Sequence, residues 1–574
     1  MDIRINIFNN NKILVVIPAK GNSNGIPRKY VRLLDNKPLI SYTIQTAKSS
    51  QYVDDVVVTT DDSEIAFISE KFGASVIKYS EESSEGKVNL ESVIFNSIVQ
   101  KEKSTFDEYD IVITLLPTSP LVKISTLNSA IEKFDDFGLE SVISVVEDKQ
   151  LFWGYDEDNK RYFPNYIERV NTHELPSNFK ETGAIVATRR GFINDDSYIG
   201  DNIDIINLSR EEAIVVDDYM DWAVVDAIIQ RKKVAIVISD DDGGTRRVGS
   251  CLSFASKLVS HDILFVLDKQ YEYGHKLIEK FGFNCKCYNN QNDIFNILDE
   301  FNPQIVLNDV SDTSVEYMDE LKNRGFFTVN FDDLGEGSKL AHVVFDSLYE
   351  HDLSDSNVYN GQKFHVLEDE FYFQPRKVIT QDVSNILILI EGSDPKNLSE
   401  MFLEAILSTT YEKKINVIVG RGYENIEQLV SRFEANPLVQ IYQNVSNVSD
   451  FVFKADILIA SASKIMYDAC SLGIPTICVY QNDIERTHVF ANSANGIINL
   501  GDADSLAKED FINEFLELVN NHELRMNMHD KMRAIDLYHG YENISSVVRE
   551  QYRKFIMKWF YENISQTSVS SWWD

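Results

Sequence analysis

Apolar, β-branched runs separated by stretches of helical period recur along almost the whole chain. The first part holds ILVVI at 13–17, DVVVTT at 55–60, DIVITLL at 110–116 and SVISVV at 141–146, with helical patterns beginning near Pro38, Ser63, Asn89 and Ser125. Short apolar runs alternating with amphipathic segments predict parallel sheets flanked by helices. Residues 151–180, LFWGYDEDNKRYFPNYIERVNTHELPSNFK, break that pattern and cannot form a regular layer of the sheet. Their aromatic and polar mixture predicts either a lid on the same subunit or an arm reaching a second copy.

A fresh strand, KVAIVIS at 233–239, places a boundary at about 231. DILFVL, PQIVLN and FFTVNF continue a second α/β unit, and 347–384 reads as a connecting stretch. A third unit opens with NILILIEGSD at 385–394, runs through INVIVG, LVQIYQ, ADILIASAS and IPTICVY, and closes with a helix near 544–563. The expected domains are therefore 1–231, 232–384 and 385–574, the last two forming paired Rossmann halves with a cleft between them.

Length and charge narrow the function. At 574 residues the chain exceeds one core, since domains run to roughly 100–200 residues. Acidic residues outnumber basic ones by 90 to 55, and a net charge of −35 with no basic cluster argues against nucleic-acid or anionic-membrane binding. The opening MDIRINIFNN lacks a signal-peptide layout and no stretch approaches the roughly 20 apolar residues of a membrane span, so a cytoplasmic protein is expected. The five cysteines, of which Cys285 and Cys287 are close at a spacing unlike a zinc knuckle or redox pair, predict reduced thiols and no structural zinc.

Chemistry concentrates first at ILVVIPAKGNSNGIPRKYVR, a Gly-rich loop with Lys and Arg directly after a strand. Backbone N–H groups and fixed cations in that position can surround a phosphate. The longer stretch IPAKGNSNGIPRKYVRLLDNKPLISYTI resembles the nucleotide-binding loop of the CMP-sialic acid synthetases, the acylneuraminate cytidylyltransferases. VVVTTDDSEIAFISEKFGA, LLPTSPL, ETGAI and VVDDYMDWAVVDA follow in that family's order, so the resemblance covers about 1–230.

The resemblance implies a GT-A-like nucleotidyltransferase fold and transfer of CMP from CTP to a nonulosonic (sialic, pseudaminic or legionaminic) or related acidic sugar. Lys20, Gly21, Ser23, Arg28 and Lys29 would line the triphosphate, with Lys29 at the α-phosphate. Thr118, Ser119, Glu181 and Thr182 would face the sugar. Asp217, with Asp221, would hold Mg²⁺, and the 151–180 arm would pair two subunits. Asn24, Tyr30, Val215 and Leu116 stand where the family carries other residues, which leaves open a different sugar or a weakened, scaffolding role. Asp217, Asp218 and Asp221 also fit a plain helix start. LLPTSPL also fits a turn in which Thr118 and Ser119 cap the next helix.

Residues 233–540 resemble the UDP-sugar hydrolase of pseudaminic acid biosynthesis, a GT-B-like protein, through DDGGTRRVGSCLSFASKL, VNFDDLGEG, EGSDPKNL and SASKIMYDACSLGIP with Asn482, Glu485 and His488. The resemblance implies a UDP-sugar cleft lined by Arg247, Ser393, Asp394, Ser461, Ser463, Asp468, Asn482, Glu485 and His488. Arg247 occupies the position where relatives place the His needed for hydrolysis, and a guanidinium cannot exchange a proton near neutrality. Arg246 and Arg247 are instead candidates to clamp a phosphate or carboxylate. A glycosyltransferase or hydrolase working in this half remains the alternative to the cytidylyltransferase reading. The closing SSWWD carries two adjacent tryptophans suited to a docking tail.

Overall fold

The structure, a computed structural model, describes residues 11–564 apart from 23–24, 80–88, 137, 240–245, 311, 349–355, 444 and 446. Ser23, Asn24 and the SSWWD tail lie outside the described residues. The chain divides into two units, Met1–Arg231 and Lys232–Asp574.

In the first unit seven strands form one sheet: β1 (Ile13–Pro18), β2 (Asp55–Thr60), β3 (Ser75–Lys78), β4 (Ile111–Leu115), β5 (Ser141–Asp148), β6 (Asn178–Arg189) and β7 (Ile203–Asn207). Their order is β7-β5-β6-β4-β1-β2-β3. The four runs expected from the sequence are β1, β2, β4 and β5, where β-branched residues fill both buried faces. β6 departs from the expected parallel sheet by running antiparallel to both neighbours, and its register slips between Glu181 and Val186. The expected excursion holds an antiparallel hairpin, Trp153–Asp156 with Arg161–Pro164, but its last residues, from Asn178, already belong to β6. Ile13, Val15 and Ile17 sink one face of β1 into a core shared with Ile40, Ile44, Leu127 and Ile131.

The second unit contains two parallel sheets. β8 (Lys233–Ile238), β9 (Asp262–Asp268), β10 (Asn284–Tyr288), β11 (Ile305–Asp309), β12 (Phe327–Phe331), β13 (Val343–Asp346) and β14 (Val358–Asn360) take the order β10-β9-β8-β11-β12-β13-β14. β15 (Asn385–Ile390), β16 (Lys414–Val419), β17 (Val439–Gln443), β18 (Ile457–Ser461), β19 (Thr476–Tyr480) and β20 (Ile497–Asp502) take the order β17-β16-β15-β18-β19-β20. Each sheet begins 3-2-1-4-5-6 in its own strand numbering, the doubly wound Rossmann arrangement, with ligands expected outside the carboxyl ends of the strands at the reversal point.

Two boundaries move relative to expectation. The stretch 347–384 is more than a connector, because β14 extends the first of these sheets. The helix Gly540–Ile564, which the sequence assigns to the third domain, packs on the second. Its Tyr541, Ile544, Val548, Tyr552 and Phe555 join the core of β8, β9, β11 and β12, with Tyr552 edge-on to Phe327 at 5.4 Å. Among the described residues no helix is long and apolar enough to cross a membrane.

Candidate functional site

The loop after β1 is held by backbone geometry. Gly21 donates its N–H to Asp61 Oδ1 at 2.6 Å, and a Cβ on Gly21 would lie 2.8 Å from Asp62 Cβ, so the loop meets the end of β2 only without a side chain there. Asp62 caps the helix Ser63–Lys71 through the amides of Glu64 and Ile65. Gly25 takes φ +88°, and a Cβ would fall 2.2 Å from the Asp217 carbonyl oxygen. The loop therefore lies directly on the segment that carries the candidate metal ligand.

Lys29 is the centre of this arrangement. It is 4% exposed, donates from Nζ to the Val216 carbonyl at 2.8 Å, and stands 3.6 Å from Asp217 Oδ1. Val216 in turn donates its N–H to the Thr118 carbonyl at 2.8 Å. Three separate segments, the loop after β1, the turn after β4 and the approach to the helix Tyr219–Ile229, are thus stitched at one buried ammonium. Arg28, in the left-handed region at φ 55°, pairs with Glu64, and Lys20 is exposed. Burial, then the Asp217 charge, raises the Tyr30 phenol.

The acids divide by role. Asp218 is the N-cap of Tyr219–Ile229, and Asp221 Oδ2 accepts from the amides of Asp217 and Asp218 at 3.0 and 3.1 Å, closing a capping box. Asp217 lies outside that box, 77% exposed. One open carboxylate beside a candidate phosphate loop fits Mg²⁺, which is commonly held through one or two carboxylates plus phosphate oxygens.

Thr118 and Ser119 are buried, and the Ser119 hydroxyl has no hydrogen-bond partner among the described residues. They do not cap the next helix, since it starts at Ile124 with Lys123 at the cap. Thr182 shares a 2.7 Å hydroxyl contact with Ser144 and pins the slip in β6, while Glu181 beside it is exposed. Asp61 and Glu64 were not anticipated; the acids that follow directly on β2 were the available signal.

In the second unit a small cavity of about 50 Å³ is lined by Cys251, Phe254, Asp309, Asp332 and His365 among others, with Lys464 reaching it from the second Rossmann half. Arg247 places Nη1 3.9 Å from Asp309 Oδ1, and Cys251 donates to Asp309 Oδ2 at 3.3 Å. Burial, then Asp309, raises the Cys251 thiol well above its usual range, so it is no thiolate nucleophile. Lys464 reaches Asp332 at 3.7 Å from the opposite half, and Tyr467 donates to the Ser347 carbonyl while stacking on His365 at 4.4 Å between centroids. Asp309 and Asp332 sit at or just past strand ends, a position the sequence discloses but the motif comparison passed over.

The residues expected in this cleft separate. Ser393 and Asn482 are exposed, whereas Asp394 is buried and accepts from the amides of Leu398 and Ser399, capping Leu398–Leu407. Ser463 donates to Glu391, and Ser461 accepts from the Glu391 amide at 3.4 Å. Asp468 is buried within the helix Ile465–Leu472. Glu485 accepts from the Gln481 amide at 2.6 Å, and burial pushes its carboxyl up to about 7. His488 is 1% exposed between Tyr467 and Phe490; its Nδ1 lies 3.2 Å from the Ala462 carbonyl, its Nε2 has no partner among the described residues, and burial pulls its ring down to about 4. The Arg246 side chain lies outside the description.

The family described as Cytidylyltransferase matches residues 14–172. The CMP-N,N'-diacetyllegionaminic acid synthase of Legionella pneumophila is 30% identical over 235 residues, which span 39% of this chain and 100% of that enzyme. The chain belongs to the cytidylyltransferase family. This cytidylyltransferase is also 27% identical over 275 residues to an uncharacterised protein of Methanocaldococcus jannaschii, covering 44% of this chain but 57% of that protein, little more than half its length. The larger part of the cytidylyltransferase chain, 55%, aligns with 99% of MurG from Acinetobacter baumannii at 14% identity and a TM-score of 0.42.

Proposed function

We propose that the first unit transfers CMP from CTP to a nonulosonic acid, of the legionaminic, sialic or pseudaminic class, or to a related 2-keto sugar acid. The observation that carries this reading is the buried Lys29 ammonium beside exposed Asp217, joined through Val216 to the turn of Thr118 and Ser119. Family membership and the relative named for legionaminic acid support it. In the reaction the sugar's anomeric hydroxyl oxygen bonds to the α-phosphorus, the bond to the bridging oxygen breaks, pyrophosphate leaves and the hydroxyl proton passes to solvent. Lys29, fixed by its carbonyl contact, offers a preorganised positive charge to the α-phosphate. The amides of the loop and Arg28, on exchanging Glu64 for phosphate, hold the β- and γ-phosphates. Mg²⁺, held by Asp217 and phosphate oxygens, would neutralise triphosphate charge.

Incubation with CTP, Mg²⁺ and a panel of 2-keto sugar acids, following pyrophosphate, tests the reading. Turnover lost in Lys29→Ala is expected; silence across the panel, with the variant indistinguishable, rejects catalysis here. The five free thiols fit a reducing compartment, supporting action in the cytoplasm. The exposed Trp153, Tyr155 and Tyr162 of the hairpin support a homodimer formed through the arm.

A second reading rests on the cavity between the halves of the second unit: it takes a UDP-sugar, for hydrolysis or glycosyl transfer. Thermal stabilisation by UDP, lost on changing Asp332 or Lys464, which line that cavity, but kept in Lys29→Ala, is the expected result. Absence of any nucleotide effect removes it.

A further inference from the structure

The first Rossmann half carries at its outer edge a cluster that neither reading above employs. His275 on the helix Glu272–Lys280, with Cys285 and Cys287 on the edge strand β10, brings a ring nitrogen and two Sγ atoms within 4.8 Å of one another. Alternation along a strand turns residues two apart to one face, and the helix preceding β10 supplies the imidazole. Leu277, Phe283 and Cys285 all pack against the same apolar core, which fixes helix to strand. Glu279, one turn beyond His275, stands with Oε2 3.6 Å from its Nδ1.

We propose that His275, Cys285 and Cys287 form a zinc site, with Glu279 as the neighbouring carboxylate that orients the imidazole or completes the coordination. Two thiolates and an imidazole are donors that favour Zn²⁺ over hard cations such as Mg²⁺. Metal–ligand bonds of about 2.0–2.3 Å in a tetrahedron set donor atoms roughly 3.5–3.8 Å apart, so the three groups need to close by only about 1 Å. Each thiol gives its proton to solvent as its Zn–S bond forms. The Cys-x-Cys spacing conceals the site, because the third donor comes from a helix ten residues upstream of Cys285. The same helix carries Tyr273, whose ring lies 4.2 Å from the Arg421 guanidinium of the other half. Zinc would therefore staple to the sheet edge a helix that touches the other half.

The test uses the full chain, reduced, stripped with chelator, reloaded with Zn²⁺ or Co²⁺ and desalted. About one zinc per chain is expected by elemental analysis, and the cobalt form should show thiolate-to-metal charge-transfer absorption. Cys285→Ser and Cys287→Ser should lose the retained zinc, His275→Ala should bind it at least about tenfold more weakly, and Cys478→Ser, buried in β19, should behave as wild type. Failure of the wild type to retain zinc, a cobalt spectrum without thiolate bands, or full retention in the serine variants overturns the proposal. If the serine variants misfold, the wild-type cobalt spectrum decides alone.

Discussion

The candidate sites of the two units handle charge in opposite ways. In the first, each of two cations faces an acid that is open to water: Arg28 pairs with Glu64, and the buried Lys29 stands beside exposed Asp217. Under the proposed function, an arriving triphosphate would exchange for those acids and free the Asp217 carboxylate for a metal. In the second, beside the ion pairs Arg247–Asp309 and Lys464–Asp332, burial drives two groups toward neutrality, Glu485 with its carboxyl up to about 7 and His488 with its ring down to about 4. The difference lies in how far the acids are desolvated rather than in residue type: Glu64 and Asp217 stay in water and charged, whereas Glu485 is buried and drawn toward its neutral form.

The largest effect that would break this contrast is at Lys29. Lys29→Ala should lower kcat/KM for CMP transfer by about 10²–10³-fold, the usual cost of one preorganised donor to a developing charge. Nucleotide stabilisation of the second unit should stay unchanged in a thermal-shift assay. Next is Gly25→Val, which places a branched side chain at φ +88° against the Asp217 carbonyl. Strain of about 1–3 kcal/mol, or displacement of the loop, should depress activity by at least about tenfold, while circular dichroism reports an intact fold.

The pair Glu485 and His488 sharpens the second half of the comparison. Glu485 is raised when folded, so the folded chain holds its proton more tightly and stability falls as pH rises from 4.5 to about 7. His488 is lowered when folded, so stability rises with pH from about 4 to 6.5. Each slope is at most about 1.4 kcal/mol per pH unit, and over most of that window the two oppose each other. Relative to wild type, Glu485→Gln should therefore gain stability as pH rises from 5 to 7, and His488→Gln should lose it, as read by urea denaturation at several pH values. Parallel pH profiles in all three proteins would contradict the burial argument. The smallest effect is at Arg28→Ala, where loss of a surface ion pair should cost no more than about 1 kcal/mol of stability yet raise KM for CTP severalfold.

What the sequence discloses follows from which forces write themselves into side chains. β1, β2, β4 and β5 are legible because burial on both faces demands continuous β-branched residues. β3, β7 and β10 are edge strands, and polar or charged residues such as Lys78, Asp204 and Lys286 interrupt them, so no such run marks them. The antiparallel course of β6 has no local signature, because direction depends on where the hairpin arm returns the chain. Motif order brought Lys29 and Asp217 into one argument, but the Val216 and Thr118 carbonyls that bind the segments together are backbone atoms any sequence could supply. Asp218 and Asp221 had the composition of either metal ligands or a capping box, and hydrogen bonds, not composition, assign them to the box. The resemblance placed His488 in the cleft, whereas its ring is enclosed by Tyr467 and Phe490.

The helix Gly540–Ile564 has a consequence for synthesis. Phe327 and Phe254 need Tyr552, Phe555 and Tyr541 to cover them, yet those partners are translated well over two hundred residues later. On the ribosome, the sheet from β15 to β20 is complete before the earlier sheet can bury its last face, so the later half matures first and the earlier one waits, half-dressed, for the strap that closes it.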